Sequence, residues 1–198
     1  MYDLFLYAFV LFVYFPFQHY KWETFYKGDF QYHFDFLKDV YLTHYRNILL
    51  SIVLFSVYMD YHAFPDFQLG ELLHVPALFF YTEAWFYFTH RLMHHPYLYR
   101  WHKDHHYFKE PPPFATFYCS LAEQLIVNTG TLLMPLQCFT FSRPIVFLWA
   151  FVLLHNSVTA HMGTQYQGSE HWIHHHKFNV NYGAGTLFDK WFDTHVSL

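Results

Sequence analysis

Apolar runs alternate along the chain with polar, histidine-bearing stretches, and most of the runs exceed the usual length of a strand. Tyr2–Phe17 is apolar apart from Asp3 and lacks both the basic n-region and the small-residue cleavage site of a secretory signal, so it predicts a membrane helix. Gln18–Thr43 turns mixed and charged and predicts an extramembrane connection. His44–Phe64 and Glu71–His90 predict a helical hairpin, punctuated by Pro65 and Gly70. A polar segment, Arg91–Pro113, closes on three successive prolines. A second hairpin then follows, Phe114–Phe139 and Pro144–Met162, turning near Ser142 and Arg143. Gly163–Leu198 is too mixed to cross a bilayer. The pattern predicts an all-α fold: a polytopic membrane helix bundle of two transmembrane hairpins plus an N-terminal helix, with a histidine-rich cap on the cytosolic face.

Charge supports this threading, because basic residues collect on the cytoplasmic side of short loops. The threading places Lys21, Lys27, Lys38, Arg46, Arg91, Arg100, Lys103, Lys109, Lys177 and Lys190 on one side, with only Arg143 opposite. The same side receives every dense histidine cluster. Composition points the same way. Charged residues are 13% of the 198, roughly half the share expected of a soluble domain, and aromatics reach 25%. A soluble helical domain is the competing reading, and only seven glycines and long Phe/Leu/Val runs argue against it. The net charge of −4 and the lack of a basic stripe exclude nucleic acid as a partner. Cys119 and Cys138 lie far apart in an apolar stretch and predict no disulfide.

Eighteen histidines ask for a metal or proton-handling explanation. His90 and His94, four apart at the end of the third apolar segment, share one helical face. His102, His105 and His106 combine spacings of three and four, and His171, His174 and His175 repeat that pattern. A ninth ring is expected from the fifth segment, which offers His155 and His161. They differ by six residues, about 120° off a shared face, so only one points inward, and the sequence leaves the choice open. A lone HxxxH pair carries little weight, since a histidine on a membrane helix is more often a packed residue than a ligand. Two HxxHH sets beside an HxxxH on one side of the membrane carry much more. Imidazole suits several metals, and eight or nine neutral ligands exceed the needs of one ion, so two metals are expected. His95 and His176 are expected beside the ligands or exposed. His19, His33, His44, His62, His74 and His195 fall outside the spacings and are expected at surfaces or interfaces.

These motifs, together with Glu83-Ala-Trp-Phe-Tyr-Phe-Thr-His90-Arg91, Pro96, Leu98, Tyr99, Arg100, Lys103, Pro113, Ala115, Glu123 and Phe178, Asn179, Asn181, Tyr182, Gly183, Asp189 and Phe192-Asp-Thr194, resemble the fatty acid hydroxylase and sterol desaturase superfamily. The chain departs from the family pattern at Glu83, where many relatives carry Asp, and at Asp193, where a glycine is usual. The resemblance implies two iron ions, with zinc possible in a purified sample, O2 as oxidant, and a hydroxylated or desaturated lipid as product. The lipid would be a sterol, fatty acyl chain, sphingolipid or ether lipid. Residues 1–198 would form one domain, with 1–43 as N-terminal helix and connection and 44–198 as catalytic core. Electrons are expected from a separate donor such as a b-type cytochrome and its reductase. The resemblance places the protein in the endoplasmic reticulum, with a mitochondrial membrane as the alternative.

The expected ligands are His90, His94, His102, His105, His106, His171, His174 and His175, with His155 or His161. Glu83, Asp104, Glu123, Asn156, Asn181 and Asp189 are expected to hold the rings by hydrogen bonding. Two other functions compete. A non-catalytic accessory subunit, with partners in a larger membrane complex, could keep the site as a structural staple, but that does not predict retention of every cluster. A metal transporter or sensor would spread ligands through the bilayer instead of gathering them at one surface.

Overall fold

The structure is a computed structural model that describes residues 9–18, 34–162 and 169–197. Among the described residues every regular element is helical. Residues 9–18 are helical, with a π-helical stretch at Val10–Tyr14; the rest of the predicted N-terminal helix lies outside the described residues, as do His19 and His33. Four longer helices follow. Helix α1 is Phe34–Tyr61 and α2 is Val75–Met93. Helix α3 is built from Leu121–Glu123, a π-helical stretch Gln124–Thr129, and Gly130–Leu133. Helix α4 is Arg143–Thr159. Two short helices complete the fold, α5 (Ser169–Lys177) and α6 (Leu187–Trp191).

Several predicted boundaries move. Helix α1 begins inside the stretch expected to be a connection. Helix α3 is much shorter than Phe114–Phe139: Ser120 caps it by accepting from the Glu123 backbone N–H at 3.2 Å, and Pro135 opens a separate 3₁₀ turn just beyond it. His102–His106 lies in 3₁₀ turns, not in an α-helical turn. Of the five predicted crossings, one helix among the described residues is long and apolar enough to span a bilayer, Lys38–Tyr61, and only 28% of its most apolar window is buried within the protein. A soluble core helix would hide most of that surface. Helix α4 is apolar but shorter, in the class below 18 residues.

Both ends of the bundle are pinned. At one end Glu71 accepts from the backbone N–H and the hydroxyl of Ser142, each at 2.7 Å, and from the backbone N–H of Gln68 at 3.1 Å. The chain reversals before α2 and before α4 are thereby tied together. Arg143 at the same end donates to the Met59 carbonyl near the end of α1, at 3.2 Å. Phe55, Met59, Leu78, Leu136, Phe141, Val146 and Trp149 pack the core behind this pin. Toward the other end Asn47 of α1 donates to the carbonyls of Phe117 and Cys119 at 2.8 and 3.0 Å, holding the strap that enters α3. His44, expected at a surface, is instead fully buried, because Phe15 and Phe117 enclose its ring and its Nδ1 accepts from the Phe117 backbone N–H at 3.3 Å.

The π-helical stretch in α3 explains how α2 approaches it so closely. The Gly130 N–H bonds back to Leu125 and skips the carbonyl of Ile126, which instead accepts from the Trp85 indole at 2.9 Å. A methyl group on Gly130 would sit 2.5 Å from Trp85 Nε1. Gly130→Ala is therefore expected to lower stability by about 1–3 kcal/mol through overpacking, read as a fall in thermal midpoint in detergent. An unchanged midpoint would mean that α2 and α3 do not pack this way.

Candidate metal centre

The polar connections deliver nine histidines to one end of the bundle. His90 and His94 come from the end of α2, His102, His105 and His106 from the 3₁₀ turns that follow, His161 from just beyond α4, and His171, His174 and His175 from α5. They form two groups. His90, His94, His102, His106 and His174 make one, and His105, His161, His171 and His175 the other; within each group the candidate ligand nitrogens all lie within 4.8 Å of one another. The groups adjoin, with the ring centroids of His106 and His175 4.7 Å apart. His155 belongs to neither. It is exposed on α4, with Nδ1 3.0 Å from the Tyr14 hydroxyl. Of the two open candidates, the structure gathers only His161, as their six-residue offset requires.

The tautomers of several rings are fixed by their neighbours. The Nδ1 of His90 lies 2.6 Å from the Tyr182 carbonyl, that of His174 2.6 Å from the Val180 carbonyl, that of His161 2.6 Å from the Ser157 carbonyl, and that of His175 3.1 Å from the Phe108 carbonyl. A carbonyl oxygen only accepts, so each Nδ1 carries the proton, and each Nε2 of a neutral ring is a bare lone pair. Yet Nε2 of His90 lies 3.1 Å from Nε2 of His102, and Nε2 of His174 lies 3.1 Å from Nε2 of His106. His102 Nδ1 stands 2.8 Å from Glu123 Oε2, and its Nε2 also lies 3.1 Å from Nε2 of His94 and 3.0 Å from that of His106, more nitrogens than one ring hydrogen can serve. In the second group the Nε2 atoms of His161 and His175 are buried with no hydrogen-bond partner among the described residues, and those of His105 and His171 are 3.3 Å apart. Such an arrangement fits cations. Two nitrogen ligands at right angles, each about 2.1 Å from an ion, stand about 3.0 Å apart.

Glu123 links the two groups. Its Oε2 faces His102 of the first, and its Oε1 stands 3.7 Å from Nδ1 of His105 of the second. Of the other residues expected to hold rings, Asn181 and Asp189 act one layer further out. Asn181 exchanges two 2.8 Å hydrogen bonds with the backbone of Val196. Asp189 accepts from the backbone N–H groups of Tyr182 and Gly183 at 2.8 and 2.7 Å. Together they fix the segment whose carbonyls hold His90 and His174. Glu83 accepts from the Leu187 backbone N–H at 2.6 Å and so anchors α6 to α2. Asp104 and Asn156 hold no ring among the described residues; their backbone carbonyls accept from Tyr107 and Ala160. His95 and His176 are exposed, the latter 3.6 Å from Glu110.

Beneath the rings lies a cavity of about 150 Å³, faced at one end by His90, His105, His161 and His171 and walled elsewhere mainly by apolar side chains such as Phe86, Val127, Leu132 and Leu153. A second cavity of about 110 Å³ shares part of that wall.

The fold and site thus describe a helical protein with two adjoining all-histidine groups, each able to hold a metal ion, beside a largely apolar cavity. A sequence model of the fatty acid hydroxylase family matches residues 75–194, and the chain belongs to that family. It is 28% identical over 181 residues to methylsterol monooxygenase erg25B of Aspergillus fumigatus, covering 80% of this chain and 60% of that protein. It is 30% identical over 158 residues to methylsterol monooxygenase 1 of Danio rerio, covering 71% and 52%. It is 31% identical over 145 residues to Delta(7)-sterol 5(6)-desaturase erg3B of Aspergillus fumigatus, covering 68% and 42%. The chain spans about half the length of the curated relatives it matches. No solved structure matches it.

Burial, reinforced by neighbouring rings, pushes the His94 imidazole down to about 2 and that of His106 down to about 3, from an ordinary value of 6.5. Below about 6.5 the unfolded chain takes up protons that these folded rings refuse. Their contribution to stability is complete above that pH and is lost as pH falls toward 3. Metal-free protein is expected to show a thermal midpoint that drops steadily with acidification below about pH 6.5. A midpoint flat between pH 6.5 and 4 would contradict the burial of neutral rings.

Proposed function

We propose that this protein is an integral-membrane oxidoreductase that uses O2 and two iron ions to hydroxylate or desaturate a lipid. The observation that carries the reading is the pairing of two histidine groups directly above an apolar cavity. His90, His94, His102, His106 and His174 would hold one ion, and His105, His161, His171 and His175 the other. Imidazole suits zinc as well as iron, so zinc in a purified sample fits the same rings. Bound iron supplies the redox chemistry with O2 that zinc lacks.

The chain's own residues do the rest. The carbonyls of Phe108, Ser157, Val180 and Tyr182 keep the Nε2 atoms of their rings unprotonated, and Glu123 stands beside Nδ1 of His102. Phe86, Val127 and Leu153 enclose the hydrocarbon of the substrate and exclude water. His90, His105, His161 and His171 face that cavity, so the C–H bond to be oxidised is presented to them. Hydroxylation places one oxygen atom of O2 in that bond, while the other leaves as water after taking up two electrons and two protons. The electrons come from a donor such as a b-type cytochrome with its reductase. The names of the relatives favour a sterol-type lipid over the other classes. The outward apolar surface of α1 supports a membrane setting, and the excess of basic residues around the histidine segments supports a cytoplasmic face; the endoplasmic reticulum is the proposed location.

The test is turnover in lipid nanodiscs with iron, a reductant and ¹⁸O₂, followed by mass spectrometry. Wild type is expected to give a lipid carrying one ¹⁸O atom or a new double bond. His161→Ala is expected to lose more than about 100-fold in rate, and His155→Ala to stay within about threefold, in line with what loss of a metal-holding group costs. Absence of turnover by iron-loaded wild type refutes the oxidoreductase reading, and the reverse ranking of the two variants refutes the assignment of the ninth ligand.

A further inference from the structure

Apart from the ring-faced end and the side chains of Thr116, Glu123, Asn156 and Ser157, the cavity wall carries one polar strip, where α1 meets α3. There Ser51, Gln124, Asn128 and Thr131 line the space. Four uncharged polar side chains at this depth are costly unless their hydrogen bonds are satisfied, so each donor and acceptor can be followed to its partner. Gln124 Nε2 donates to Ser51 Oγ at 2.7 Å, and Ser51 Oγ lies 2.8 Å from Thr129 Oγ1. Gln124 Oε1 accepts from Asn128 Nδ2 at 3.0 Å and from the Cys119 thiol at 3.5 Å. Asn128 Nδ2 also reaches Cys119 Sγ at 3.5 Å. Thr131 spends its proton on the Val127 carbonyl at 2.6 Å.

The network therefore consumes the donors of Asn128 and turns its amide one way. Its carbonyl oxygen, a strong acceptor, has no partner among the described residues. Gln124 Nε2 is turned toward Ser51 and away from that oxygen, and the Ser51 hydroxyl lies between Gln124 and Thr129. An acceptor facing an apolar cavity is matched by a ligand that brings a hydrogen-bond donor on an otherwise hydrophobic body. We infer that Asn128 is a specificity-determining residue that accepts a hydrogen bond from a free hydroxyl on the lipid substrate, with Gln124 and Ser51 holding its amide in that orientation. This rests on the lipid-oxidising reading of the same cavity.

The placement also acts as a ruler. Asn128 lies five residues beyond Glu123 on α3, roughly 6–8 Å along the helix, while Glu123 marks the level of the rings. The hydroxyl is thus held away from the ring-faced end of the cavity, and the carbon that is oxidised is several bonds from the carbon that bears the hydroxyl.

Binding tests this without turnover. Hexadecan-1-ol and hexadecane are titrated into wild type, Asn128→Leu and Asn128→Ala in nanodiscs, with metal content checked to show that each variant is folded. Comparing the alcohol-to-alkane ratio of dissociation constants between proteins cancels the unequal partitioning of the two probes. Wild type is expected to prefer the alcohol, and both variants to lose about fivefold to tenfold of that preference, the worth of one hydrogen bond to a buried acceptor. Equal ratios in all three proteins would overturn the proposal, as would a loss in Asn128→Leu that Asn128→Ala does not share, since that reports bulk and not the missing acceptor. These results are independent of whether the ¹⁸O₂ experiment yields product, so failure of the hydroxyl reading and failure of the oxidoreductase reading are told apart.

Discussion

Buried imidazole lone pairs gathered in one place are the constraint from which the rest of this structure follows. Backbone carbonyls claim the Nδ1 protons of His90, His161, His174 and His175, so their Nε2 atoms are bare acceptors, and those of His161 and His175 have no hydrogen-bond partner among the described residues. Buried acceptors with no donor cost free energy, and several in one place would push the segments that carry them apart. A cation between them reverses the sign. Binding of metal would therefore strengthen the packing of the polar connections, a coupling of the kind seen in metal-stabilised domains.

That coupling explains why the bundle is fastened so far from the rings. The Glu71–Ser142 contact and the Arg143 bond to Met59 fix the ends of the helices opposite the histidines. Close packing of Trp85 on Gly130 sets the separation of α2 and α3. With the helices held in this way, the ends of α2 and α4 arrive at a fixed spacing, and α5 closes over them. Glu123 then stands between the two groups, one oxygen toward each, so a displacement of α3 is felt by both.

Much of the site was legible in the sequence because its geometry is local. The spacings of three and four in HxxxH and HxxHH bring rings together whether the turn is α or 3₁₀, so eight of the nine rings could be named even though the helical form of His102–His106 was not. The ninth depended on which side of α4 faces the bundle. One cue was available: His161 follows the end of α4, where the last turn has carbonyls without helical partners, and its Nδ1 takes the Ser157 carbonyl four residues back. The groups that hold His90, His174 and His175 are backbone carbonyls, which no side-chain pattern reveals. Asn181 and Asp189 were recognisable as important, but they act on the backbone that bears those carbonyls. Helix limits were less legible, since they depend on the Ser120 cap, on Pro135 and on a π-helical stretch, and hydropathy registers none of these. His44 looked like a surface residue because only tertiary packing encloses it.

The central claim is that two cations share nine imidazoles within one chain. Anaerobic titration of metal-free protein with ferrous iron, followed by metal analysis after desalting, measures it most directly. Two tightly held ions per chain, accompanied by a rise in thermal midpoint, are the predicted result. A single ion, or none retained, would contradict the account.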